Sequence, residues 1–136
     1  MTAIIDVYSR YIVDWGLSNS LDAGSSLKVL KEAVRIHGKP EILNSDQGCQ
    51  FTCKGYVDYL KANHIQISMD GKGKALDNIY IERFWRTIKY QYIYLNPAQN
   101  GLNLYQGIRE WIERYHNRDH QGINRKKPAL LYKNVA

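Results

Sequence analysis

The chain has 136 residues, enough for one domain and a single core that buries roughly two-thirds of the surface its unfolded form would expose. With 44% hydrophobic and 24% charged residues and only 3 prolines, the composition excludes a disordered tail, and no run approaches the roughly 18 apolar residues needed to span a bilayer. The net charge of +6 is unevenly divided, with 7 Lys/Arg against 8 Asp/Glu in residues 1–70 and 12 against 5 in residues 71–136, so an anionic partner, nucleic acid before membrane, is expected on the second half.

In chain order, residues 2–8 and 11–17 are rich in Ile, Val and Tyr and flank Ser9 and Arg10, which predicts two strands joined by a tight hairpin. Leu27, Leu30, Val34 and His37 recur at helical spacing, with Ser20 and Asp22 before them and Gly38 and Pro40 after, the start and stop signals of a helix. Residues 41–45 form a short strand ending at Asp46. Val57, Leu60 and His64 mark a second helix, and Ile65, Ile67 and Met69 alternate as a strand. The glycine-rich run Gly71, Lys72, Gly73, Lys74 predicts a loop. Asp77 or Asn78 can cap the next helix, whose apolar face is Ile81, Trp85, Ile88 and Tyr92. A last helix carries Leu104, Ile108, Trp111 and Tyr115, and residues 116–136 follow as a polar extension. This order indicates a mixed α/β domain with helices on the faces of a sheet.

Two acidic residues stand out. Asp46 lies where a strand gives way to a loop, the kind of place where α/β sheets gather ligands, and Glu82 lies in the first turns of a capped helix, with 35 residues between them. Arg86 and Lys89 follow Glu82 by four and seven residues, so a helical period sets all three on one face. Each has an ordinary alternative: a capping or surface carboxylate for the acids, and for the cations a solvated helix face with a weak Glu82–Arg86 pair of about half a kcal/mol or less. Lys72, Lys74, Arg118, Arg125, Lys126 and Lys127 are lesser candidates for phosphate contact, and His120 for either DNA contact or stabilising the tail. Cys49 and Cys53 lack the paired spacing of a zinc site, and the N-terminus lacks a secretory pattern, so a cytosolic setting with reduced thiols is expected.

The stretch Ser45-Asp46-Gln47-Gly48 with Phe51-Thr52, then Asp77-Asn78, then Glu82-Arg83-Phe84 with Lys89, resembles the second and third acidic positions of DDE insertion-sequence transposases and retroviral integrases. The opening Ile4-Ile5-Asp6-Val7-Tyr8-Ser9-Arg10-Tyr11-Ile12-Val13 and the closing Arg118-Asp119-His120-Gln121-Gly122-Ile123 with Pro128-Ala129 resemble the same family, so the likeness runs along nearly the whole chain. It implies a ribonuclease-H-like mixed sheet and DNA cleavage and joining with Mg2+ or Mn2+ held by Asp46 and Glu82. It further implies DNA as partner, with Arg86, Lys89, Lys72 and Lys74 against the backbone, and homo-oligomers or mixed oligomers with a full-length transposase. In the family the first of three carboxylates sits on a strand ahead of the segment resembled by residues 3–13. The expectation is therefore a core lacking its first strand, marginally stable and nearly inactive, with Asp6 a turn residue rather than a ligand. The alternative function is a DNA-binding or oligomerising module without catalysis.

Overall fold

The computed structural model describes residues 1–18, 23–45, 54–69 and 79–135. They divide into two compact units, one of residues 1–4 and 13–79, the other of residues 5–12 and 80–136.

The hairpin strands β1 (Thr2–Ile5) and β2 (Ile12–Gly16), all but Ile5 and Ile12 in the first unit, form one two-stranded sheet, and β3 (Ile42–Ser45) and β4 (Gln66–Met69), within the first unit, form a second. β3 and β4 run parallel, with Leu43 opposite Ile67 and Ser45 opposite Met69, so their C-terminal ends lie side by side. Helix α1 (Ala23–His37) and helix α2 (Lys54–Ala62) supply the rest of the unit. Leu30, Tyr56, Leu60 and Ile65 form its buried core, with Ile4, Leu27, Val34, Leu43, Tyr59 and Ile67 packed around them. Both helix stops are backbone devices. Gly38 has φ +82° and donates its N–H to the Val34 carbonyl at 2.9 Å, closing α1. His64 takes φ +56° while Ile65 N–H reaches the Leu60 carbonyl at 2.9 Å, so the chain leaves α2 and enters β4 within three residues. The helical faces differ from the sequence expectation at their ends: His37 and His64 are exposed, and Tyr56 rather than Val57 fills the core of α2.

The strands of the hairpin are shorter than predicted because Asp6 captures the turn. Its carboxylate accepts from the Ser9 N–H at 3.0 Å and from the Ser9 hydroxyl, while Asp6 N–H donates to the Tyr11 carbonyl at 2.8 Å and Arg10 takes φ +64°. A short acidic side chain bonding to nearby backbone competes with ladder pairing.

The second unit holds this turn together with α3 (Ile79–Ile88), which runs on into a π-helical turn (Lys89–Ile93), and α4 (Gly101–His116). Asn100 caps α4 by accepting the Asn103 N–H at 2.8 Å. The close approach of the π turn to α4 depends on Gly107, where a Cβ would fall 1.6 Å from the Tyr92 hydroxyl oxygen. Phe84 and Ile88 are the buried residues of α3, and the Phe84 ring meets Tyr115 edge-on at 5.4 Å and Trp111 at 6.1 Å. The expected apolar face was centred one residue off, because Trp85 is only half-buried and Phe84 is the residue covered.

The segment read as a polar extension is folded. A 3-10 turn (Gln121–Ile123) buries Ile123, a bridge pairs His120 with Lys126, and α5 (Pro128–Val135) begins on a buried proline. Proline suits the first helical position, where its missing N–H has no helical partner. Tyr132 of α5 stacks on Tyr11 with centroids 4.4 Å apart, so the core that organises this polar stretch comes from the opposite end of the sequence. No helix among the described residues is long and apolar enough to cross a membrane.

Candidate functional site

Glu82 occupies the first turn of α3, where the positive end of the helix dipole favours a carboxylate. It is exposed and has no hydrogen bond or ion pair to any described residue. Arg86 and Lys89 are exposed as well, and neither forms an ion pair with a described residue, unlike Arg35, which pairs with Glu32 on α1. The Glu82–Arg86 pair is therefore not formed, and the face opposite Phe84 and Ile88 presents one carboxylate and two cations to solvent. The helical spacing predicted this face, and the burial pattern of α3 agrees with it.

Asp46 directly follows the last residue of β3 in sequence, but it lies outside the described residues, as do Lys72 and Lys74. Among the described residues no group of three His, Cys, Asp or Glu comes together as a metal site. Carboxylate oxygens are the hard donors that Mg2+ and Mn2+ take, and Glu82, with no competing partner among the described residues, fits that chemistry. Asp6 is differently occupied, since the oxygen facing the turn accepts both Ser9 donors.

The closing motif is largely internal architecture. His116 Nε2 accepts the Ile12 N–H at 3.0 Å, and its ring stacks on Tyr11 with centroids 3.9 Å apart. The nitrogen that accepts must be unprotonated, and burial, aided by the neighbouring His120, pushes the His116 pKa down to about 4. His120 Nε2 lies 2.9 Å from the Tyr115 carbonyl, and burial lowers its pKa too. Arg118 is half-buried over Trp111 and Tyr115 at 5.3 and 5.4 Å, and it donates to the Gln91 side chain at 2.9 Å. Of the two roles open to His120, the contacts fit stabilising the tail. Sequence reasoning left His116 unassigned; its signal was a histidine at the end of an apolar helical face, one residue beyond Tyr115.

The comparisons agree with this architecture. A family model described as integrase core domain matches residues 1–75, and a second model of the same description matches residues 63–128. A transposase for insertion sequence element IS904 from Lactococcus lactis is 34% identical over 128 residues, covering 91% of this chain and 51% of the relative. A transposase-like protein from Haemophilus influenzae is 32% identical over 123 residues, covering 90% and 57% respectively. The chain thus spans about half the length of these relatives. The HTLV-2 integrase catalytic core domain in complex with magnesium superposes with a TM-score of 0.71 at 18% identity, covering 93% of this chain and 80% of that one. The fold is the ribonuclease-H-like fold of retroviral integrase cores, and the chain belongs to the integrase core domain family.

Proposed function

We propose that the chain serves DNA transposition or integration, with Asp46 and Glu82 as two carboxylate ligands of a metal-dependent centre for DNA strand cleavage and joining. The observation that carries this reading is the solvent-facing row of α3 and the start of the π turn, where Glu82, Arg86 and Lys89 are exposed and unpaired among the described residues. When bound, two Mg2+ or Mn2+ ions supply Lewis-acid stabilisation to the entering and leaving oxygens of an in-line displacement at phosphorus. Asp46 and Glu82 hold that charge with hard oxygen donors. Arg86 and Lys89, joined by Lys72 and Lys74, set the phosphodiester backbone against the carboxylates by charge neutralisation, which fixes register without reading sequence.

Asp6 is not one of the ligands in this reading, because its carboxylate holds the hairpin turn through Ser9. Asp14 is no better suited: it lies within β2, and burial raises its pKa. Two carboxylates alone balance half of the charge of two divalent ions, so the chain by itself cleaves DNA poorly. The same Asp6 geometry favours a second reading, in which the chain binds DNA and forms mixed oligomers that modulate a full-length transposase.

The test is a plasmid-nicking and strand-joining assay in Mn2+, run beside a Glu82→Gln control and a duplex-binding titration. Weak Mn2+-dependent cleavage that disappears in Glu82→Gln supports the first reading, and duplex binding with steep salt dependence but no cleavage supports the second. Robust cleavage lost in both Glu82→Gln and Asp6→Asn would show that Asp6 completes the centre. Absence of duplex binding would overturn both readings.

A further inference from the structure

Five of the large apolar side chains left exposed among the described residues fall within one stretch of the second unit: Tyr90, Tyr94, Leu95, Leu102 and Tyr105. Tyr90 and Tyr94 are the most unusual of them, being 65% and 60% exposed where a tyrosine ring would ordinarily seek cover. Neither hydroxyl has a hydrogen-bond partner among the described residues. Residues three and four apart are neighbours on a helical surface, so the row runs from Arg86 to Lys89 and Tyr90 and on to Tyr94. The π turn that carries Tyr90 is a wide turn set into the end of an α-helix, a feature found often at functional sites. Residues 79–94 carry Arg83, Arg86 and Lys89 against Glu82 alone.

The two rings stand nearly perpendicular, with centroids 5.4 Å apart and an interplanar angle of 82°. A continuous base stack cannot lie flat on both. Bases splayed apart on a single strand can, each on its own ring, and stacking of this kind tolerates any base because every base has a π face. We propose that Tyr90 and Tyr94 form a platform for unpaired DNA bases, with Arg86 and Lys89 holding the adjoining phosphates. The inference rests on the DNA reading above and adds a substrate feature to it, an unpaired strand next to the duplex. A second copy of the chain is a poorer occupant. A two-fold symmetric contact through this strip would bring together two cations, Arg86 and Lys89, and one carboxylate, Glu82, from each copy, leaving excess positive charge in the contact.

The test is fluorescence anisotropy with the full chain and three labelled probes: a blunt duplex, the same duplex with a short single-stranded flank, and that duplex with an abasic flank of equal length. The wild type is expected to bind the base-bearing flank roughly tenfold more tightly than the abasic one, within the range of one or two stacked bases. Tyr90→Ala with Tyr94→Ala should erase that preference and leave blunt-duplex affinity unchanged, while the paired Phe substitutions retain it. Arg86→Gln with Lys89→Gln should weaken all three probes. Equal binding of the two flanked probes, or a preference that survives the paired Ala substitutions, overturns the platform while blunt-duplex binding leaves the DNA reading intact. Loss of blunt-duplex binding in the wild type overturns both. Sedimentation of the paired Ala variant decides the remaining case: a change of oligomeric state without a change in probe preference assigns the strip to contact between copies and overturns the proposal.

Discussion

The two units solve the same packing problem with different side chains. The first closes on Leu30, Leu60, Ile65 and Tyr56 around a parallel strand pair. The second closes on Phe84, Trp111, Tyr115 and His116, with Tyr11 and Tyr132 stacked beside them. The first core is mostly aliphatic and draws its stability chiefly from buried area and shape. The aromatic one also depends on a neutral histidine accepting a backbone N–H, so it is tied to pH in a way its counterpart is not. A basic surface and a pH-dependent interior thus belong to the same half of the molecule.

Removing the ring that joins α3 to α4 is the strongest way to test this contrast. Phe84→Ala is expected to cost about 3–5 kcal/mol, and Leu30→Ala in the first unit about 2–5 kcal/mol. If the units are energetically separate, the near-UV circular dichroism of the Phe84 variant, to which Trp85 and Trp111 of the second unit and Trp15 of the first contribute, should fall in two steps on urea addition, the first of them before most of the far-UV signal is lost. Coincident losses would show one cooperative structure instead.

Acid should act nearly as strongly. His116 has an unfolded pKa of 6.5 and a folded pKa of about 4, so its neutral form is the native one. Stability is fully present above pH 6.5 and falls as the pH drops from there to about 4, a loss of about 3 kcal/mol in total, after which this group contributes no further slope. The lowered His120 pKa adds in the same direction. Urea melts of the wild type and of His116→Gln across pH 7.5 to 4 should show a steep decline in the first and a shallow one in the second; parallel declines would place the acid sensitivity elsewhere.

The surface cations should have the smallest effect on folding. Arg86→Gln and Lys89→Gln should each leave stability within about 0.5 kcal/mol of wild type. Each should lower the slope of log affinity against log salt for duplex DNA by about one. A larger stability change would mean that these side chains support the helix rather than face a ligand.

Much of the fold was legible because its signals are local. The repeat of Leu27, Leu30 and Val34 with Gly38 behind it marked α1 and its stop, and the alternation of Ile65, Ile67 and Met69 marked β4. Glu82, Arg86 and Lys89 were legible as one face for the same reason, since their spacing of four and seven is a property of the helix alone. What escaped depends on partners far away in sequence. His116 meets Ile12 across 104 residues, and Tyr132 meets Tyr11, so nothing near residues 116–135 announced that a polar run would fold. The face of α3 was read from Trp85 when Phe84 is the buried ring, because adjacent large aromatics both satisfy the period and only the neighbouring helix chooses between them. Asp6 was assigned to the turn by the family resemblance, since local propensity had placed it inside the first strand, and its capture of the Ser9 N–H is what shortens the strands.

The central claim is that Asp46 and Glu82, and not Asp6, hold the divalent ion, and calorimetric titration of Mn2+ into the wild type and three variants tests it most directly. Asp46→Asn and Glu82→Gln should each weaken binding by more than about tenfold, the loss that even an outer-shell change causes, while Asp6→Asn leaves it unchanged. Binding that survives Glu82→Gln, or that falls as far in Asp6→Asn, would contradict the assignment.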